Sequence, residues 1–150
     1  MSIEWEFYLW DKEVTATDAE INLVETELGI KFPEDFLAVA KYHQGKTPEP
    51  CEFTVGSCSD VFNHLLHFRS LGEYKEYSIL STKNALAHYL PQNHIPFAGT
   101  PGGNFLCFVY ENEESPYVAH VNHELPINDK DCITKVAASF EAFIHEISES

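Results

Sequence analysis

The sequence predicts one α+β domain: a central antiparallel sheet packed by an N-terminal helix pair and a C-terminal helix. Three observations carry that expectation. The first is Ile95–Tyr110, IPFAGTPGGNFLCFVY, where two apolar runs flank a glycine-rich connection. Runs of this kind, rich in aromatic and β-branched residues, read as inner strands with little solvent on either face. Pro101 fixes its own φ, and Gly102 and Gly103 tolerate positive φ, so Thr100–Asn104 reads as the turn of a hairpin. The second is a pair of helix starts in the first third, at Thr17 and Pro33. The third is an amphipathic run at the end of the chain. At 150 residues one such domain can bury about 70% of its unfolded surface.

In chain order, Ser2–Trp10 alternates Ile3, Trp5, Phe7 and Leu9 against Ser2, Glu4, Glu6 and Tyr8, the period of a short strand or an extended arm. Trp5 and Trp10 are expected to pack. Thr17-Asp18-Ala19-Glu20 is a capping box, followed by Ile21, Val24 and Leu28 at helical spacing and closed by Gly29. Glu20, Glu25 and Glu27 lie off that apolar stripe and read as solvated. Pro33-Glu34-Asp35 starts a second helix, whose buried side is Phe36, Leu37, Val39, Ala40 and Tyr42. The two helices are expected over about 18–28 and 34–43. Lys46–Pro50 reads as a loop. Cys51–Val55 and Val61–Ser70 read as strands around a Gly56-Ser57 turn, and Leu71–Tyr77 as a polar connection. Ser81–Leu90 reads as a helix capped by Ser81 or Thr82 and closed by Pro91. After the hairpin come a polar turn, Glu111–Pro116, and a strand, Tyr117–Val121. The last helix is expected over about 137–148, with Phe140, Phe143, Ile144 and Ile147 on one face.

Charge and motifs exclude several function classes. The formal net charge is −15, with 4 basic and 11 acidic groups in residues 1–50, 3 and 4 in 51–100, and 2 and 9 in 101–150. Such a surface repels nucleic acid and anionic membranes and attracts a basic protein. Gly102-Gly103 is no phosphate cradle, because neither the lysine nor the helix start of such loops follows. His64/His67 and His120/His123 are three residues apart, which on a strand sends each pair to opposite faces, so no zinc or other cofactor is expected. G-x-S-x-G, H-E-x-x-H and a catalytic cysteine setting are all missing. Met1–Trp10 lacks the basic start of a secretory segment, no window suits a membrane span, and Cys51, Cys58, Cys107 and Cys132 form no C-x-x-C pair. A cytoplasmic protein with reduced thiols is the expectation.

Three segments, in order, resemble the SMI1/KNR4 family of the SUKH immunity-protein superfamily. They are Thr17–Gly45 with its Leu28-Gly29-Ile30 and Phe32-Pro33-Glu34-Asp35-Phe36; Ile95-Pro96-Phe97-Ala98 with Gly102-Gly103-Asn104-Phe105-Leu106-Cys107; and Val121…His123-Glu124 with Ala138–Ile144. The resemblance spans about residues 15–147, leaving 1–14 as an arm. It implies the same α+β fold and a role in protein binding without catalysis. Many bacterial members neutralise a cognate toxin, often a nuclease of polymorphic or contact-dependent systems. Eukaryotic relatives act as binding modules in the regulation of cell-wall synthesis. A basic toxin would be met by acids on loops, with aromatic anchors beside them. The residues expected to bind it are Glu73, Tyr74, Glu76 and Tyr77, then Glu111, Glu113 and Glu114, and finally Asp129 and Asp131.

Overall fold

The structure, a computed structural model, describes residues 3–70, 72–112 and 115–148. A short strand β1 (Glu4–Glu6) precedes the helices α1 (Asp18–Leu28) and α2 (Glu34–Ala40). Strands β2 (Thr47–Glu49), β3 (Glu52–Val55), β4 (Cys58–Val61) and β5 (His64–Leu65) follow, then a 3-10 helix over Gly72–Tyr77 and α3 (Ile79–Ala85). The chain closes with β6 (His94–Gly99), β7 (Phe105–Val109), β8 (Tyr117–Val121), β9 (Ile133–Ala137) and α4 (Phe140–Ser148). Strands β5-β6-β7-β8-β9 form one antiparallel sheet in that order, with β1-β2 and β3-β4 as separate two-stranded ladders.

The central hairpin forms as its residues require. β6 and β7 are both inner strands, and every residue of β6 is buried. Pro96 cannot donate to a ladder, and the register slips beside it, so that Phe97 is the bulged residue between the Pro96–Cys107 and Ala98–Leu106 pairs. In the turn, Gly103 takes φ +87°, and the Thr100 hydroxyl accepts from Asn104 N–H at 3.0 Å.

At α1 both halves of the capping box are made: Thr17 Oγ1 accepts from Glu20 N–H at 3.1 Å, and Glu20 Oε1 from Thr17 N–H at 2.9 Å. Gly29 closes the helix at φ +68°, in the left-handed region. α1 and α2 are joined by Lys41 to Asp18 at 2.9 Å and by Ala16 N–H to the Lys41 carbonyl. Phe36 of α2 is the hub of the core, with its ring against Phe97, Phe108 and Phe140.

Several expectations need correction. Glu25 is not solvated: it is buried, and its Oε2 accepts from Phe32 N–H at 2.8 Å, holding the link between α1 and α2. α2 stops at Ala40, and Tyr42 is exposed. Lys46–Pro50 is not a plain loop, since Thr47–Glu49 pairs with β1. The expected strand Val61–Ser70 is broken. Val61 belongs to the β3–β4 hairpin, Phe62 turns inward, and His64–Leu65 joins the main sheet. Within Leu71–Tyr77, Leu71 lies outside the described residues and the rest is 3-10 helix. α3 begins at Ile79, because Ser78 rather than Ser81 or Thr82 is the cap, its hydroxyl accepting from Ser81 N–H. Residues 133–137 are a strand, so Ala137 is not helical. Ser139 caps α4 instead, its Oγ accepting from Ala142 N–H at 3.1 Å. Lys135 in the middle of the β-branched run Ile133, Thr134 and Val136 hides that strand from a search for alternation.

The sheet has two unlike faces. One carries Ile95, Phe97, Leu106, Phe108 and Val118 against Ile21, Val24, Phe36, Phe140 and Phe143 of the helices. The other carries Phe105, Cys107, Val121 and Ile133 against Leu86, Leu90, Leu125 and Cys132.

Candidate partner-binding surface

On that second face the cover is short. α3 has only two turns, and the 3-10 helix lies beside it. Between them and the β6–β7 turn runs a groove of about 490 Å³, open to solvent. His64, Leu66, Tyr77, Leu86 and Phe105 give it apolar and aromatic walls; Lys75, Glu76 and Asn104 line it with polar groups. His64 is set by Gly99, where a side-chain carbon would stand 2.8 Å from the ring. Its Nδ1 lies 3.1 Å from Asn63 Nδ2. Tyr8, on the arm, stacks on the His64 ring at 6.2 Å, and Tyr77 meets it edge-on at 6.0 Å. Burial holds the His64 imidazole down to about 4, so it is neutral near pH 7.

Behind the 3-10 helix, His67 is fully buried. It stacks on Tyr74 at 4.2 Å and meets Trp10 edge-on. Its Nδ1 accepts from Arg69 N–H at 3.0 Å, and burial, then the Arg69 charge, holds this ring also down to about 4. Trp10 packs on Gly45, where a side-chain carbon would stand 2.7 Å from the indole ring.

A second polar cluster lies where the β3–β4 hairpin crosses the sheet. His120 Nε2 donates to Asp60 Oδ2 at 2.8 Å, and Asn104 Oδ1 accepts from His123 N–H at 3.1 Å. These contacts tie the hairpin, the β6–β7 turn and β8 together. Among the described residues, no group of three or more His, Cys, Asp or Glu is placed to hold a metal ion. All four cysteines are free, and burial raises the Cys107 thiol far above its ordinary range. Among the described residues no helix is long and apolar enough to cross a membrane.

The bases are largely spent inside the molecule. Lys12 pairs with Glu73, Lys41 with Asp18, Lys46 with Glu13 and Arg69 with Glu20, while Lys83 Nζ donates to the carbonyls of Gln92 and His94. Many acids are left facing water. In the β1–β2 ladder Glu4 stands directly opposite Glu49, both exposed, an arrangement that costs stability.

The expected binding residues do not form one patch. Glu76 and Tyr77 line the groove, and Tyr77 is exposed. Glu73 is exposed but paired with Lys12 at 2.7 Å. Tyr74 is buried between His67 and Trp10, so its surface is already covered by its own chain. Glu111 lines a separate hollow with Tyr110 and Glu25. Glu113 and Glu114 lie outside the described residues. Asp129 and Asp131 sit together on the β8–β9 connection, Asp129 Oδ1 accepting from Asp131 N–H at 2.9 Å. Sequence reasoning missed His64, Leu86 and Phe105 as groove residues. The one signal was the odd polarity of His64 inside an apolar run.

A search of curated proteins gives no match. A family model does match, over residues 15–146, from the segment before α1 into α4. Its α+β architecture is the one seen here, and the chain belongs to the SMI1 / KNR4 family (SUKH-1).

Proposed function

We propose that this protein is a cytoplasmic immunity protein that binds and neutralises a cognate protein toxin, a basic domain of the nuclease type. Membership of the SUKH-1 family is the observation that carries this reading. The net charge of −15 agrees with it, since an acidic face steers a basic partner into encounter and raises its association rate. Neutralisation is by occupation rather than chemistry. Of the expected acids, Glu73 and Glu76 on the 3-10 helix supply the rim, and Tyr77 an anchor.

The test is co-expression with the product of the neighbouring gene. Rescue of growth, together with a stable complex of the purified proteins, is the expected result. A toxic neighbour that this protein neither binds nor restrains would sink the reading and favour a regulatory binding module of the same fold.

A further inference from the structure

We infer that the groove between the 3-10 helix, α3 and the β6–β7 turn is the docking site for one large apolar side chain, carried on a basic segment of the partner protein. The inference rests on the reading of this chain as a binder of a basic protein and adds the place and the chemistry of contact. A pocket for a polar metabolite needs several polar groups converging on one point. Here two of the inner polar groups are turned to their own chain, Thr100 Oγ1 accepting from Asn104 N–H and His64 Nδ1 lying against the Asn63 amide, while Lys75 and Glu76 are exposed side chains at the edge. What remains open is the apolar surface of Leu66, Tyr77, Ala85, Leu86 and Phe105. Desolvating such a surface favours an aliphatic or aromatic anchor, the usual centre of a protein interface.

The surroundings select the charge of the segment that carries the anchor. Tyr8, His64 and Tyr77 form a continuous aromatic ridge from the arm to the groove, with exposed Phe7 next to Tyr8. The ridge runs over the arm, β5 and the 3-10 helix; residues 3–13 and 72–77 hold Glu4, Glu6, Asp11, Glu13, Glu73 and Glu76 against Lys12 and Lys75, with Glu73 paired to Lys12 and Glu13 to Lys46. An apolar centre within an acidic rim is complementary to a hydrophobic residue flanked by lysine or arginine.

The experiment uses the full chain, isotope-labelled, and two probes: acetyl-Lys-Lys-Phe-Lys-Lys-amide and the same peptide with alanine in place of phenylalanine. Amide shifts centred on Leu66, Tyr77, Ala85, Leu86 and Phe105, with binding about tenfold weaker for the alanine peptide, are expected. Ala85→Trp, which fills the groove from the exposed side of α3, should abolish the preference while leaving the circular dichroism unchanged; Tyr77→Ala should weaken it. Equal binding of both peptides, shifts confined to exposed acids, or no shifts at all overturns the inference. The same variants, tested in complex with the neighbouring gene product, separate the two readings. A complex indifferent to Ala85→Trp defeats the groove and leaves the immunity reading standing. Absence of any such complex, with the peptide still seated in the groove, does the reverse.

Discussion

On one face of the five-stranded sheet, Phe97 and Phe108 stack at 4.3 Å and meet Phe36 and Phe140 ring against ring. On the other, Phe105, Cys107 and Val121 pack with the smaller cluster of Leu86, Tyr89, Leu90, Leu125, Cys132 and Ile133. The same strands supply both faces, by alternate residues. Three helices close the first; a two-turn helix and a loop cover the second, and there the groove opens. A face packed to interior density tolerates little change and holds the fold. A face left partly uncovered can vary its lining without disturbing that core, which suits a protein that must recognise one partner among relatives.

The largest expected effect tests the closed face. Phe36→Ala removes a ring touching Phe32, Phe68, Phe97, Phe108 and Phe140, and should cost about 3–5 kcal/mol in urea unfolding. The same truncation at half-buried Phe105 should cost well under half as much. Equal losses would end the distinction between the faces.

The groove side should also be the acid-sensitive one. His64 and His67 are held at about 4 chiefly by burial, below their ordinary 6.5. The unfolded chain therefore binds more protons than the folded one between those values, so their contribution is complete above pH 6.5 and is lost as pH falls toward 4. Melting temperature should fall by several degrees from pH 7 to pH 5, and His67→Phe should flatten that slope. His43 and His94, shifted the same way mainly by burial, contribute in the same direction. A pH-independent melting temperature over this window would contradict the burial of these rings.

Glu25 gives the next effect, on the closed side. Glu25→Ala leaves Phe32 N–H without its acceptor, and an orphaned buried donor costs about 1–3 kcal/mol. Glu25→Gln keeps an acceptor and should recover most of the loss. If alanine and glutamine behave alike, the hydrogen bond is not what matters.

These positions also show how far the fold was legible. The hairpin β6–β7, the capping box at Thr17 and the Gly29 stop rest on local patterns, and each stands where its residues put it. Three features were not local. Glu25 is read as solvated from helical periodicity, but its burial depends on where the chain returns seven residues later. Strand β9 exists because β8 offers an edge, a fact absent from ITKVA itself. The break after Val61 follows from Phe62 filling the core beside Phe143. The groove was less legible still. Glu76 and Tyr77 came from charge and aromatic content, whereas Leu86 and Phe105 are brought to them only by the fold.

The smallest effect on stability belongs to the acidic rim. Lys12 and Glu73 pair at 2.7 Å with both side chains about half exposed, at 54% and 51%. Hydrogen bonding to Lys12 is the leading cause that holds the Glu73 carboxyl below its ordinary 4.5. Its contribution is therefore complete above pH 4.5 and lost as pH falls below that value. Water and salt screen a pair so exposed, and ordering two long side chains offsets much of the attraction. Glu73→Gln should shift the melting temperature at pH 7 by less than about 1 °C. With Glu76→Gln added, stability should still hold, while association with a basic partner slows and becomes less sensitive to salt, and dissociation stays nearly the same. Tyr77→Ala should do the opposite, speeding dissociation with little change in association. Stopped-flow kinetics at two salt concentrations separates these outcomes. If the double glutamine variant associates like the parent, the rim beside the groove steers nothing, and the acids there serve only to keep the surface hydrated.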